Sequence, residues 1–457
     1  MKHKLAPVHR ALDSVPLTEA VLQFAWAQRR FNAVGLHTTA GEAVELLHPG
    51  THNTQQGPDF LNARVRIGEI EFVGSVELHL ESKGWMQHRH HLDPGYQSVI
   101  LHVVLSAGQI ATVRRADGTP IPEVSLAGRL DPNLLEAYTQ LVGVASPVPC
   151  ASQLAQVPPF EARQWVHRQG VARVAAKADR MQSEGSVQTS GVGQGDWPQR
   201  LLIELAGGFG GPQNSAAFRV VAAALPMRIL QRHAADLHQV EALLFGLAGQ
   251  LTEAPTDGYQ ERLQQTWNYL VGLHSLSIPA DLPPLAFLRM RPAGFPTVRL
   301  AQLAAVLHRH ALTSLGLNLV SLLDASAASL SEWLSAEPSE YWLTHYRFGL
   351  TSARKPKLAG QQLLDHLIIN VIIPFAYLYH RARGDETAAE RAVDRLGEVA
   401  AERNATVQEF GRAGLKAQDA LESQGLLHLQ RTFCAKRRCL ECAIGHYLLR
   451  SSKSSIG

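Results

Sequence analysis

The sequence predicts an α+β protein: an N-terminal α/β domain over residues 1–145, followed by a larger all-α domain over residues 146–457. Three observations lead there. Short segments that alternate apolar and polar residues fill the chain before residue 145, the period-two pattern of strands. Beyond residue 150 apolar residues recur every three to four positions, the pattern of helices packed on one face. The length of 457 residues also exceeds what one ordinary core organises.

In order, LTEAVLQFAWAQRRF (17–31) has the helical period and Thr18 as its cap. Strands are expected at 43–47, 61–67, 70–80, 98–106 and 111–114, and SVILHVVLS is apolar on both faces, as inside a sheet. FEARQWVHRQGVARVAAKADRM, PQRLLIELAG, VRLAQLAAVLHRHAL and LLDHLIINVIIPFAYLYHRAR read as helices, and SEGSVQTSGVGQGD (183–196) as a Gly/Ser-rich loop. LAGGFGGPQNSAAF (205–218) lacks the Lys-Ser/Thr of a phosphate-binding loop and reads as a helix–helix connection. The apolar run 367–379 is interrupted by Asn370 and Pro374 and is too short to span a bilayer, so it predicts a buried helix.

With 46% hydrophobic and 18% charged residues, the composition is that of a globular chain. A net charge of +3 neither demands nor excludes a nucleic-acid partner. MKHKLAPVHRALD has no signal-peptide core, so the expectation is a cytoplasmic protein without a membrane partner. In that compartment the four cysteines are thiols or metal ligands rather than disulfides.

The stretch GPDFLNARVRIGEIEFVGSVELH (57–79) carries the chemistry. Gly68-Glu69 suits a two-residue hairpin turn. Strand parity puts Glu77 and His79 on one face, roughly 7 Å apart. Converging carboxylates repel, and a divalent ion removes the conflict, so Asp59 and Glu77 are candidate ligands for magnesium or manganese. The competing reading is a half-buried hairpin with exposed polar residues. A regular ladder outward from the turn opposes Phe60, not Asp59, to Glu77; Asp59 joins the face only through a strand end or a bulge, for which Gly74 is the candidate position.

GWMQHRHHLDPGYQSVILHVV places His88, His90, His91, Asp93 and Tyr96 just beyond, as accessory ligands or proton shuttles or as a solvated loop, while His102 reads as a hydrogen-bonded core histidine. In FCAKRRCLECAIGHY, Cys434, Cys439 and Cys442 have C-x4-C-x2-C spacing. With His446 they would make a Cys3His zinc site, and with Cys150 an iron–sulfur site. Lys436, Arg437 and Arg438 within that loop, and Arg291 and Arg299 in RPAGFPTVR, are candidate phosphate contacts.

Pro58-Asp59 followed by Glu77-Leu78-His79 resembles the signature of the PD-(D/E)XK nuclease superfamily, in which a helix bearing an acid precedes a hairpin carrying P-D and (D/E)-x-K. The resemblance implies a nuclease-like mixed sheet with flanking helices, Asp59 and Glu77 as magnesium ligands, and Glu19 as accessory acid. His79 stands where the superfamily has lysine. Across nearly its whole length the chain also resembles an uncharacterised bacterial family, domain of unknown function number two-eight-five-one. GPDFLNARVRI, GSVELHLES, RPAGFPTVRLAQLA and CAKRRCLECAIG carry that likeness. The function expected is a metal-dependent nuclease. The alternatives are a non-catalytic nucleic-acid- or protein-binding module on a degenerate nuclease fold, and a zinc hydrolase built on His88–His91.

Overall fold

A computed structural model describes residues 17–106, 112–188, 196–313 and 318–452. The chain forms an α+β architecture in two compact units. The first comprises Met1–Trp165 with two returning segments, Gln408–Leu415 and Leu429–Gly457; the second comprises Val166–Val407 and Lys416–His428.

The first unit opens with helix α1 (Glu19–Ala27), which buries Val21, Leu22, Phe24, Ala25 and Trp26. Thr18 occupies the cap position but its side chain makes no capping bond. Strands β1 (Val44–His48), β2 (Thr51–His52), β3 (Phe60–Ile67), β4 (Ile70–Glu81), β5 (Val99–Ser106) and β6 (Glu123–Ser125) build one mixed sheet in the order β1-β3-β4-β5-β6, with β2 beside β3. β1, β3 and β4 form an antiparallel meander, whereas β5 and β6 run parallel to β4. The expected strand at 111–114 falls partly outside the described residues, and its described part contributes one bridge, Arg114 to Pro120.

The β3–β4 turn is tight as expected, with Ile67 opposite Ile70 and Gly68 at φ +59°. Along β4 the turn end and the terminal Glu81 are exposed, while Ser75 to His79 are all buried because β5 covers that stretch from the side and helical segments pack on it. Gly74 does not bulge. A Cβ there would meet Ser98 O at 2.6 Å, so its role is the close approach of β5.

The connection from β4 to β5 crosses over through the short helix α2 (Gly84–Gln87) and two 3-10 turns, His90–Leu92 and Pro94–Tyr96. Trp85, Val99, Val113 and Ile121 form a small core beneath it. Helix α3 (Pro132–Gly143) follows, N-capped by Asp131. Asp131 is fully buried and paired with Arg30 at 2.6 Å. Arg30 also donates to the carbonyls of Leu449 and Ser452 at 3.3 and 3.0 Å, capping the helix Ala443–Ser451. A basic group at a helix C-terminus satisfies free carbonyls and meets the negative end of the helix dipole. The C-terminal segment, assigned with the helical region by linear reading, thus packs within the first unit.

The second unit is helical around one core, which includes Leu202, Phe209, Phe245, Trp342 and Phe375. Helix α4 (Pro159–Gln188) continues through 183–188, where a loop was expected; residues 189–195 lie outside the described residues. No proline interrupts that stretch, and the single Gly185 costs only about 1 kcal/mol in a helix. Within α5 (Trp197–Ala223) the glycine-rich segment is the helix–helix connection expected, reduced to a one-residue break at Gly211 (φ +61°) before Pro212. The run Gln361–Ala382 is long and apolar enough to cross a membrane by length and composition, but 72% of its apolar window is buried within the protein. It includes a π-turn at Ile368–Ile372, ahead of Pro374. It is a core helix, as the interruption by Asn370 and Pro374 led one to expect.

Candidate functional site

Asp59 reaches Glu77 because β3 bulges. Phe60 pairs with Val76 and Ala63 with Gly74, so between these pairs β3 has one residue more than β4. The bulge sits at Leu61-Asn62, with Asn62 in the left-handed region at φ +57° and both residues exposed. Asparagine tolerates that conformation better than most side chains. The bulge falls on β3, and not at Gly74 of β4 as the sequence suggested. It brings Asp59 opposite Glu77, which a regular ladder does not.

The two carboxylates interlock. The Asp59 backbone N–H donates to Glu77 Oε2 at 3.0 Å, the Leu78 N–H donates to Asp59 Oδ2 at 2.9 Å, and Gln23 Nε2 donates to Asp59 Oδ1 at 2.8 Å. Burial, the Glu77 charge and the Glu19 charge push the Asp59 carboxyl up to about 7, against the pull of the Leu78 and Gln23 hydrogen bonds. Glu77 is only 5% exposed and His79 1%, which disposes of the reading as exposed hairpin residues.

Three histidines meet beside Glu77. Ligand nitrogens of His79, His88 and His90 all lie within 4.8 Å of one another. Arg89, left-handed at φ +62° between α2 and the following 3-10 turn, reverses the chain so that the exposed His88 and the buried His90 both meet His79. His90 is fixed by stacking on Tyr96, with ring centroids 3.8 Å apart. Gly84 passes over the His79 ring so closely that a Cβ would lie 2.5 Å from it. His90 Nε2 lies 3.2 Å from Glu77 Oε1, yet it is buried and makes no hydrogen bond. An orphaned buried nitrogen beside a carboxylate and two further imidazoles is a donor set that could hold a cation.

Behind the trio runs a buried relay. His79 Nδ1 lies 2.9 Å from His102 Nε2, and His102 Nδ1 lies 2.9 Å from Glu123 Oε2. An ionised carboxylate accepts only, so His102 carries its proton on Nδ1 and accepts at Nε2. His79 then donates from Nδ1, which leaves a lone pair on Nε2, the nitrogen 3.1 Å from His88 Nδ1 and 3.8 Å from Glu77 Oε1. Burial, with the neighbouring His102, His90 and His88, lowers His79 to about 3, so its ring is neutral. It offers a ligand lone pair and not the fixed positive charge of a lysine. Such outer partners set ligand tautomer and basicity.

Exchanging Glu123 for an amide is expected to reverse this order of donors. In Glu123→Gln the amide donates to His102, and the proton ends on His79 Nε2. Metal affinity should fall about 10–100-fold with the fold retained. Titration calorimetry with manganese or zinc measures the affinity, and nitrogen NMR of the imidazoles reads the tautomer; unchanged affinity would remove the relay from the site.

The remaining expected residues fall elsewhere. His91 lies outside the trio, and Asp93 caps the turn at Pro94–Tyr96. Arg437 is taken up by the carbonyls of Ser146 and Val144 at 2.9 and 2.8 Å, and Arg438 by Glu441 at 2.7 Å. In this structure both guanidinium groups are bonded to protein acceptors. Lys436 remains exposed. Arg299 is half-buried and bonded to Gln302 at 2.8 Å in the second unit, where Arg291 is exposed. Sequence reasoning missed Gln23 and Glu123. Gln23 was legible as the residue one helical turn after Glu19 on the same face; Glu123 lies on a strand that only the sheet order brings to His102.

A mixed sheet carrying one buried and one half-buried carboxylate beside a histidine trio defines the class: an α+β protein with an acid–histidine cluster. The chain belongs to the family described as "Protein of unknown function (DUF2851)", whose profile it matches over residues 19–405. That span holds Glu19, Asp59, Glu77, the histidines and Cys150, and ends before Cys434. No curated protein and no solved structure gives a significant match.

Proposed function

We propose that the first unit is a metal-dependent phosphodiesterase of the PD-(D/E)XK type acting on nucleic acid. The observation that carries this reading is the pairing of Asp59 with Glu77 across the Asn62 bulge, which joins the two acids of the motif within reach of Glu19. The donor set of Asp59, Glu77, His79, His88 and His90 mixes oxygen and nitrogen, which suits manganese or zinc better than magnesium.

A divalent cation bound there supplies a Lewis acid for a phosphoryl oxygen and makes water a nucleophile at neutral pH. The chain's own groups do the rest. Asp59 and Glu77 supply the negative charge that retains the ion, and the Glu123–His102 relay keeps the His79 lone pair forward. Tyr96, pushed up to about 12 by burial and by the Glu77 and Asp59 charges, stays protonated and can donate to a phosphoryl oxygen.

The histidine trio favours one second reading, a zinc hydrolase on another substrate. Incubation of the purified protein with single- and double-stranded DNA and RNA, each with manganese, magnesium or zinc, separates the two. Manganese-dependent cleavage, slower with magnesium and reduced by about three orders of magnitude in Glu77→Gln, is expected. Absence of cleavage of every nucleic acid under every metal would overturn the nuclease reading, and zinc-dependent hydrolysis of small esters would establish the second.

A further inference from the structure

The chain has four cysteines, and all are reduced and buried in the first unit. A single buried cysteine is ordinary packing. Here Cys150, from a segment far upstream, lies within electrostatic reach of Cys439 and Cys442, and Cys434 within reach of all three others.

The surroundings are built to hold this convergence. Arg437, left-handed at φ +54°, donates from Nη1 to Ser146 O at 2.9 Å and to Cys434 O at 3.4 Å, tying the segment before Cys150 to the cysteine loop. Cys434 closes a π-turn at Gln430–Cys434. Cys442 is the N-cap of the helix Ala443–Ser451, and its side chain makes no capping bond. Gly445 admits the loop, since a Cβ there would lie 2.2 Å from Cys439 O. The buried Trp165 Nε1 has no hydrogen-bond partner. Burial pushes the Cys442 thiol up, so its proton leaves only when a metal takes its place. The His446 ring lies edge-on to Phe24 with centroids 4.9 Å apart.

Spacing discriminates between metals. Four thiolates on one zinc lie about 3.8 Å from one another, given zinc–sulfur bonds of about 2.3 Å. Among the described residues the histidines form a trio of ligand atoms within 4.8 Å, and no three of the cysteine sulfurs do. In an iron–sulfur cluster thiolates on different irons are roughly 6 Å or more apart, so a four-thiol set opens wider than a zinc site. We propose that Cys150, Cys434, Cys439 and Cys442 bind an iron–sulfur cluster. On binding, four iron–thiolate bonds form and four thiol protons leave to solvent; iron and sulfide keep their oxidation states. The centre fastens the C-terminal segment to the segment after α3 and is independent of the acid–histidine site.

The test is anaerobic purification of the full chain, with reconstitution by ferrous and ferric iron and sulfide. Iron and acid-labile sulfide in equal amounts, with broad absorption at roughly 400 nm, are expected. Cys150→Ser should lose most of both, and His446→Ala should keep them. If Cys150→Ser fails to fold, the sulfide content of the native chain still decides, since the histidine site holds no sulfide. Zinc without sulfide, retained in a His79→Ala variant, overturns the cluster. So do four freely titrating thiols in native protein that takes up no iron.

Discussion

At pH 8 and without added metal, the Asp59→Asn variant is expected to be more stable than the native chain, by up to about 4 kcal/mol. The same variant should lose divalent-metal binding and cleave nucleic acid about 1,000-fold more slowly. Asp59 is pushed from 3.8 up to about 7 by burial and Glu77, so the folded chain holds a proton that the unfolded chain has released. Its stabilising contribution is complete below the unfolded value and is lost as pH rises through about 7. His79 acts in the opposite sense. Lowered from 6.5 to about 3, it stays neutral in the fold while the unfolded chain takes up a proton, so stability is lost as pH falls below 6.5. Between about pH 4 and 6.5 the two slopes oppose one another, and the native chain should show little pH dependence from this pair. Asp59→Asn leaves the His79 slope alone, so stability should climb with pH across that window. Urea melts at pH 4.5, 6 and 8 measure it; a variant no more stable than the native chain at pH 8 would refute the repulsion on which the metal reading rests.

Arg30→Ala is expected to cost about 3–5 kcal/mol, the cost of leaving a buried partner charge uncompensated. Asp131 would remain fully buried without its guanidinium, and the helix Ala443–Ser451 would lose the group that caps its carbonyls. Denaturant unfolding reads the loss, and limited proteolysis should show early cleavage of the C-terminal segment. In Arg30→Met with Asp131→Asn, much of the stability should return, because the uncompensated charge is gone while asparagine still caps α3. Equal losses in the single and double variants would show that the carbonyl contacts, and not the ion pair, hold the segment.

Both site predictions draw on residues the sequence exposed to different degrees. The parity of β4 was legible: Glu77 and His79 share a face because side chains alternate, and no tertiary contact alters that. The helix bearing Glu19, the Gly68-Glu69 turn and the buried β5 followed from period and turn chemistry alone. The C-x4-C-x2-C spacing likewise marked three thiols within one loop's reach.

What the tertiary structure decided is which of these groups meet. The Asn62 bulge moves Asp59 into register with Glu77, and nothing in strand propensity sets the position of one extra residue. The left-handed Arg89 gathers His88 and His90, a backbone state the residue type does not announce. Glu123 reaches His102, and Cys150 its three distant partners, only through sheet order and chain return. Local sequence determines periodicity and therefore faces. Long-range pairing determines which faces converge, because its free energy comes from packing between segments that carry no record of one another.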